Sequence, residues 1–491
     1  MFPGATLAQN NTLELGKPVE RELAGGGSHQ YQIGLIAGRF LRLIVEQRGI
    51  DVVVTLVSPD GKQLLEVDSP NGAEGPESLG WVTESVGVYR VEIRSLEKDA
   101  AAGRYTVKLS ELRAATADDS TALAREQELR QASLLDVEAW NLAQAGKLDE
   151  ALPPAERALA LREKVLGAEH ADVATALKTL ADLRKNKGEY DRAESLYQRA
   201  LAIRENALGA EHPNVASTLS ALADVYYFKN DLNRAEALYQ RALAIVEKTV
   251  GREHSNAVLI LNNLASVYTQ QGDYAKAETL QQRVLALLEK LLGAEHPAVA
   301  TALNNLATIN ENIGNYPKAE SLLRRALAMR EKTLGAEHSD VAGTLNNLAY
   351  LYDLTGEYAK SEQLYNRALA IKEKRLGANH PDVATALANL GSLHQKKGDY
   401  AQAESLFGRA LTVREQAFGA NHPDVALSLN NLAGLAQERG DYVKAETLQQ
   451  RALAIWEKAY GPEHIDTARA LNNLASLHSS KGDYVQAETL Y

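Results

Sequence analysis

The sequence predicts a mainly α protein: a right-handed α-solenoid of about eight and a half 42-residue helix-turn-helix repeats, preceded by a small antiparallel β-sandwich of jelly-roll type. Three observations carry this. First, His170, His212, His254, His296, His338, His380, His422 and His464 stand 42 residues apart, and Gly167, Gly209, Gly251, Gly293, Gly335, Gly377, Gly419 and Gly461 keep the same step. A fixed period of this length marks units that bury their apolar faces only against their neighbours. Second, from Val19 to Leu112 apolar residues alternate with a period near two, as in half-buried strands. Third, "AATADDSTALAREQ" separates the regimes, and Ala/Leu/Glu-rich helical sequence follows it.

Taken along the chain, residues 1–15 are expected to be an N-terminal tail and 16–113 the sandwich. Its strand-like segments include "HQYQIGL", "FLRLIVEQ", "DVVVTLVS", "QLLEVD", "YRVEIRSL" and "RYTVKLSEL". Turn signals separate them at Gly25-Gly26-Gly27, Pro59-Asp60-Gly61, Pro70-Asn71-Gly72 and Ala102-Gly103. Roughly eight short strands in this span suggest two packed antiparallel sheets. Asp51, Asp60 and Asp68 could form a calcium cluster, but turn and strand capping is the simpler role.

Residues 114–128 are expected to be a linker leading into a helix, and 129–491 the repeats, with the last one incomplete at Tyr491. In "HPAVATALNNLATINENIGNYPKAESLLRRALAMREKTLG", Pro297 suits a first helical turn and His296 an N-cap. Gly314 suits the left-handed residue that ends the first helix. Asn315, with Asp273, Asp399 and Asp441 in sister units, is expected to cap the second helix, which stops before Gly335.

Charge and composition exclude several functions. The formal net charge is −11, and neither region is basic: residues 1–118 carry 12 Lys+Arg against 16 Asp+Glu. Nucleic acid and anionic membrane are therefore not expected as partners. There is no cysteine, hence no disulfide, thiolate metal site or cysteine nucleophile. No apolar run is long enough to span a bilayer. The beginning, "MFPGATLAQN", lacks the charged and apolar parts of a signal peptide, so a cytoplasmic location is expected; "ATLAQ" would suit the tail of an export signal clipped upstream.

No catalytic residue, metal site or cofactor is expected. Eight of the eleven histidines are the repeat histidine, His394 and His478 occupy positions held elsewhere by Tyr226, Tyr268 or Tyr352, and His29 lies in a strand. A catalytic group is needed once per site, whereas a residue recurring in every unit serves the unit. The same holds for Arg199, Arg241, Arg283, Arg325, Arg367, Arg409 and Arg451. Neighbouring units lie ~10 Å apart, too far for their histidines to share an ion bound at about 2 Å. There is no phosphate-cradling glycine loop or nucleophile elbow.

"LNNLASVY…GDYAKAETLQQRVL" (Leu261–Leu285) resembles a tetratricopeptide repeat, through Leu264-Ala265, Tyr268, Gly272, Tyr274 and Ala277. The 42-residue length, with "LG-x-x-H-P-x-V-A" between helices, resembles the kinesin-light-chain type. The β-region, with "VYRVEIRSLEKDAAAGRYTVKL", resembles bacterial pre-peptidase C-terminal domains. Together they resemble the front half of bacterial proteins that end in a caspase-like CHAT domain.

The repeat resemblance implies that the first helices line a concave groove. Thr301, Asn305, Thr308 and Asn312 are spaced 4, 3 and 4 and share one helix face. Aligned with Asn305 are Asn263, Asn347, Asn389, Asn431 and Asn473, while the earlier units have Thr179 and Ala221. An amide offers a donor and an acceptor, so such a ladder can hold a peptide backbone whatever its side chains. Rungs ~10 Å apart match about three residues of extended chain. Flanking positions would set preference: Tyr350 and Leu354, Thr385, Ser392 and Lys396, Glu438, and Arg469. Alternatively the asparagines bond to neighbouring helices and set the pitch of the stack, a role that fits Asn262, Asn304, Asn346, Asn430 and Asn472 better.

The expected function is thus a non-catalytic scaffold binding a protein or peptide segment. The CHAT resemblance implies an alternative, the sensor half of a peptidase with a covalently linked C-terminal effector domain. A carbohydrate-binding role for the sandwich has only Trp81 to support it.

Overall fold

The computed structural model describes residues 11–68 and 72–491, so Pro70 and Asn71 of one expected turn lie outside the described residues. The chain divides into two compact units, 1–231 and 232–491.

The first unit begins with eight strands: β1 (Pro18–Leu23), β2 (Ser28–Leu35), β3 (Arg39–Arg48), β4 (Val52–Val57), β5 (Gln63–Val67), β6 (Glu74–Val82), β7 (Gly87–Ser95) and β8 (Gly103–Ala114). They form two antiparallel sheets ordered β1-β8-β3-β6 and β2-β7-β4-β5, the jelly-roll order. Inward-facing Leu41, Leu43, Val45, Val91, Ile93, Val107 and Leu109 fill the core at no more than 1% exposure. Of the expected tail, Leu13 is also buried in this core, and Leu15 bridges to Leu109.

Strand β6 carries Gly75, Pro76 and Gly80, poor strand formers that hide it from a propensity reading. It is an edge strand, where proline is tolerated. A Cβ on Gly80 would lie 2.5 Å from Leu123 Cδ2, so a larger residue there would have to displace the Leu123 side chain that the first helix lays on the sheet. That helix, α1 (Ala117–Gln144), occupies most of the expected linker. It starts in a capping box between Thr116 and Asp119, and Arg113 donates two 2.7 Å hydrogen bonds to Asp119. The guanidinium holds the Asp119 carboxyl well below the usual carboxylate range. Helices α2 (Leu148–Leu166), α3 (Ala171–Asn186), α4 (Tyr190–Leu208) and α5 (Pro213–Phe228) complete this unit.

The second unit contains α6 (Leu232–Thr249), α7 (Ser255–Gln271), α8 (Tyr274–Leu292), α9 (Pro297–Ile313), α10 (Tyr316–Leu334), α11 (Ser339–Leu354) and α12 (Tyr358–Leu376). It continues with α13 (Pro381–Lys396), α14 (Tyr400–Phe418), α15 (Pro423–Glu438), α16 (Tyr442–Tyr460), α17 (Ile465–Lys481) and α18 (Tyr484–Leu490). Each core cluster draws on adjacent repeats: Tyr365 and Leu369 of α12 pack with Val383 and Leu387 of α13 and Val413 of α14. Shared burial of this kind ties each unit only to its neighbours.

The repeat histidines are N-caps, as their position predicts. In all eight, Nδ1 accepts the backbone N–H two residues on, as at His296 to Ala298 (3.2 Å). Gly314 ends α9 in the left-handed region at φ 83°. The second-helix caps differ from expectation: Asp273 and Asp441 accept from Lys276 and Lys444 N–H, whereas Asn315 and Asp399 hold the cap position without a side-chain bond. The arginine series ties second helices together, with Arg325–Glu289, Arg367–Glu331 and Arg451–Glu415 at 2.5–2.6 Å. Among the described residues no helix is long and apolar enough to cross a membrane.

Candidate functional site: a polar face on the first helices

Along α9, Ala302, Leu303, Asn304, Leu306, Ala307, Ile309 and Asn310 are buried. Thr301, Asn305, Thr308 and Asn312 are exposed, so the predicted face is open. In α11 the corresponding Tyr350 is 46% exposed and Leu354 40%; in α13, Lys396 is exposed and Ser392 half-buried. Asn263, Asn347, Asn389, Asn431 and Asn473 are half-buried, and Asn305 alone of this series is fully out.

The two adjacent asparagines separate by burial. Asn304, 7% exposed, donates to Ala300 O (2.9 Å) and Thr344 Oγ1 (3.4 Å). The second asparagines also make contacts that sequence reasoning assigned chiefly to the first. Asn347 Nδ2 donates to Asn304 Oδ1 (3.3 Å), Asn389 to Asn346 (2.7 Å) and Asn473 to Asn430 (2.8 Å). Each links one first helix to the preceding one across 43 residues. Ala388 stands where Asn431 would find its acceptor. Asn305 makes no hydrogen bond among the described residues, although Asn262 Oδ1 is buried without a partner. An amide has two N–H donors and a carbonyl, so a single bridging bond leaves a donor and the acceptor free.

Other face residues are held from below. Arg330 of α10, 9% exposed, donates to Thr301 Oγ1 (3.0 Å), Thr344 Oγ1 (2.7 Å) and Asp340 O (3.1 Å). Burial pushes its pKa down, and no carboxylate bonds it. Asn312 donates to Thr308 O (3.0 Å) and Ser392 to Ala388 O (3.1 Å), bonds within their own helices. Lys396 reaches back 43 residues to Asp353 (2.8 Å). Two residues of this face were not picked out by sequence reasoning, Glu311 and Asp353, because they carry no motif. The 43-residue offset of the pairs is the signal that exposes them.

The remaining histidines are structural. His394 is 8% exposed, with Asp399 at 3.3 Å and Glu362 at 3.7 Å. His478 lies 3.7 Å from Asp483 and 4.0 Å from Glu446. At the same position Tyr268 donates to Glu236 and Tyr352 to Glu320, so both histidines replace a tyrosine in one inter-repeat bridge. His29 Nδ1 lies 2.7 Å from Tyr105 Oη, which meets Tyr31 Oη at 2.6 Å inside the sandwich. Asp60 bonds Ser58 in a turn, and burial raises the pKa of both Asp51 and Asp68. Among the described residues no group of three or more His, Asp or Glu is arranged to hold a metal ion.

A tetratricopeptide repeat family model matches residues 139–205, 180–248, 256–332, 312–374, 340–416, 382–448 and 424–491, and a second one of the same description matches 220–289. Among solved structures, the putative kinesin light chain repeats of Podosopora anserina are 27% identical, covering 42% of this chain and 99% of theirs at a TM-score of 0.39. The protein BtubC of P. vanneervenii is 26% identical, covering 52% of this chain and 93% of its own, at a TM-score of 0.40. A STAND protein with a tetratricopeptide repeat sensor from Pyrococcus horikoshii is 14% identical, covering 78% and 55% respectively, with a TM-score of 0.44. No curated protein matches the chain.

Proposed function

The chain belongs to the tetratricopeptide repeat family, and we propose that it is a non-catalytic scaffold whose first-helix face holds an extended segment of a protein or peptide. One observation supports this above the rest. In α9 the exposed positions 301, 305, 308 and 312 alternate with buried ones, and the corresponding positions are exposed or half-buried in α11 and α13, never fully buried. The rung position keeps asparagine in six repeats, while the flanking ones change from Thr301 to Gly343 and Thr385, and from Thr308 to Tyr350 and Ser392. A constant amide suits a backbone, and varied neighbours suit its side chains.

The bridging bonds of Asn347, Asn389 and Asn473 refine the mechanism. One N–H of each fixes the spacing between first helices, and the remaining donor and carbonyl are left for ligand. Asn305 has no such duty. The segment would run past Asn263, Asn305, Asn347, Asn389, Asn431 and Asn473, with Thr301, Thr308, Asn312, Tyr350, Ser392 and Lys396 contacting its side chains. The likeness of the sandwich to pre-peptidase domains, and of the whole to CHAT proteins, rests on sequence resemblance.

The test is selection of peptides from a displayed library of random decapeptides on the full chain. Asn305→Ala and the triple variant Asn305→Ala/Asn347→Ala/Asn389→Ala should weaken the selected peptides by about tenfold or more, since each lost ligand hydrogen bond costs ~1 kcal/mol. Unchanged affinity on a folded triple variant would remove the asparagines from the site.

A further inference from the structure

We propose that the cavity beside Ala436 is a binding site for a phenol ring. It lies where α14, α15 and the start of α16 meet, on a different face of α15 from Asn431 and Glu438, and does not depend on the peptide reading.

The sister repeats show what this position is built to hold. Tyr226, Tyr268 and Tyr352 each donate a hydroxyl hydrogen bond to Oε1 of a glutamate 32 residues earlier, at 2.7, 2.9 and 2.6 Å. Asn310 donates to the equivalent Glu278 at 3.3 Å. His394 and His478 stand 3.7 and 4.0 Å from theirs, so the phenol is the ring that spans the gap. Ala436 has no group to offer its own glutamate, Glu404. Here there is a cavity of about 290 Å³, lined by apolar Leu432, Leu435 and Ala436 and by charged Glu404, Arg439 and Lys444. A cavity of roughly 150 Å³ holds benzene, so a phenol fits. The side chains of Arg439 and Lys444 are 46% and 45% exposed, which leaves the cavity within reach of solvent.

The polar groups repeat the surroundings of the tyrosines, with one difference. Arg439 donates to Glu404 Oε2 (2.5 Å), as Lys229 and Gln271 do to Glu194 and Glu236. Oε1, the oxygen that accepts the phenol elsewhere, accepts from Lys444 Nζ. Where a ring is present the equivalent lysine covers it: Lys276 lies 4.8 Å from the centre of Tyr268, and Lys360 5.0 Å from that of Tyr352. Lys276 also pairs with Asp273 (2.8 Å), whose counterpart beside Lys444 is Asp441. A phenol entering the cavity thus meets leucines for its ring and a carboxylate oxygen for its hydroxyl. Lys444 turns from Glu404 onto the ring face, with Asp441 at hand to pair it.

The experiment titrates p-cresol, the tyrosine side-chain analogue, into the full chain by ligand-observed NMR, with toluene as the control that lacks the hydroxyl. The wild type should bind p-cresol about tenfold or more tightly than toluene, as a hydrogen bond to a charged acceptor requires. In Glu404→Gln that preference should fall several-fold. Ala436→Tyr supplies the ring from the chain itself, as three sister repeats do, and should bind no p-cresol. A blocked Ala-Tyr-Ala peptide run in parallel separates two sources of the ring. Binding like that of p-cresol points to a tyrosine of a partner protein, and failure to bind points to a free phenolic compound. The site is overturned if p-cresol does not bind the wild type, or binds no better than toluene. It is overturned equally if the preference survives Glu404→Gln in full, or if a folded Ala436→Tyr still binds p-cresol.

Discussion

At the scale of the residue, Asn304 and Asn305 are neighbours in sequence with opposite duties. Asn304 is buried and bonded to Ala300 O and Thr344. Asn304→Ala should cost about 1–2 kcal/mol, because it leaves buried polar partners unmatched. Asn305→Ala, on the exposed face, should change stability by less than about 0.5 kcal/mol; urea unfolding of the two variants distinguishes them. Glu311 gives the pH counterpart. Its carboxyl is raised in the folded protein to about 7, from the ordinary glutamate value near 4.3 when unfolded. Between those values the folded form holds a proton that the unfolded form has released, so the contribution is present at low pH and lost as pH rises through 7. Glu311→Gln should therefore be close to neutral at pH 4.5 and more stable than wild type by about 2 kcal/mol at pH 8. Equal melting shifts at both pH values would contradict that burial.

At the scale of the element, punctuation of the helices was legible and cross-repeat pairing was not. His296, Pro297 and Gly314 each impose a local backbone state, and local states can be read from local sequence. Gly314→Ala should cost about 1 kcal/mol at φ 83°, and His296→Ala a similar amount, measurable by thermal unfolding. The pairs were hidden because alignment at 42 residues superposes equivalent positions, whereas touching positions are 43 apart. Buried Arg204, Arg330 and Arg414 show a second such rule, each bonding Thr218, Thr344 or Ser428 fourteen residues on. Where the arginine becomes Val246, Leu288, Lys372 or Trp456, the partner becomes Ile260, Ala302, Ala386 or Ala470. Arg330→Leu alone should cost about 1–2 kcal/mol by removing the N–H donors to Thr344 and Thr301, and Thr344→Ala should cost less in that background than in the wild type. A double-mutant cycle without coupling would dismiss the pairing.

At the scale of the whole molecule, the helical array was readable because its unit is written many times, and a single ambiguous copy is corrected by its sisters. The sandwich is written once. Its β6 escapes notice because Gly75, Pro76 and Gly80 serve the edge position and the close approach of α1 rather than strand propensity. The polar face was located by spacing, but which of its amides bridge neighbouring helices needed coordinates. Nearest-neighbour burial also has a consequence. Leu387→Ala, at a fully buried site in α13, should cost about 3 kcal/mol and raise amide exchange in α11–α14 while that of the β-sandwich stays unchanged.

The central claim is that asparagine amides hold the backbone of an extended segment. Calorimetric titration of one library-selected peptide against versions N-methylated at single residues addresses it most directly, since methylation removes one backbone donor and leaves the side chain. Rungs ~10 Å apart predict that losses of about tenfold recur at every third residue, with little effect between. Uniform tolerance of N-methylation along the peptide would contradict the ladder.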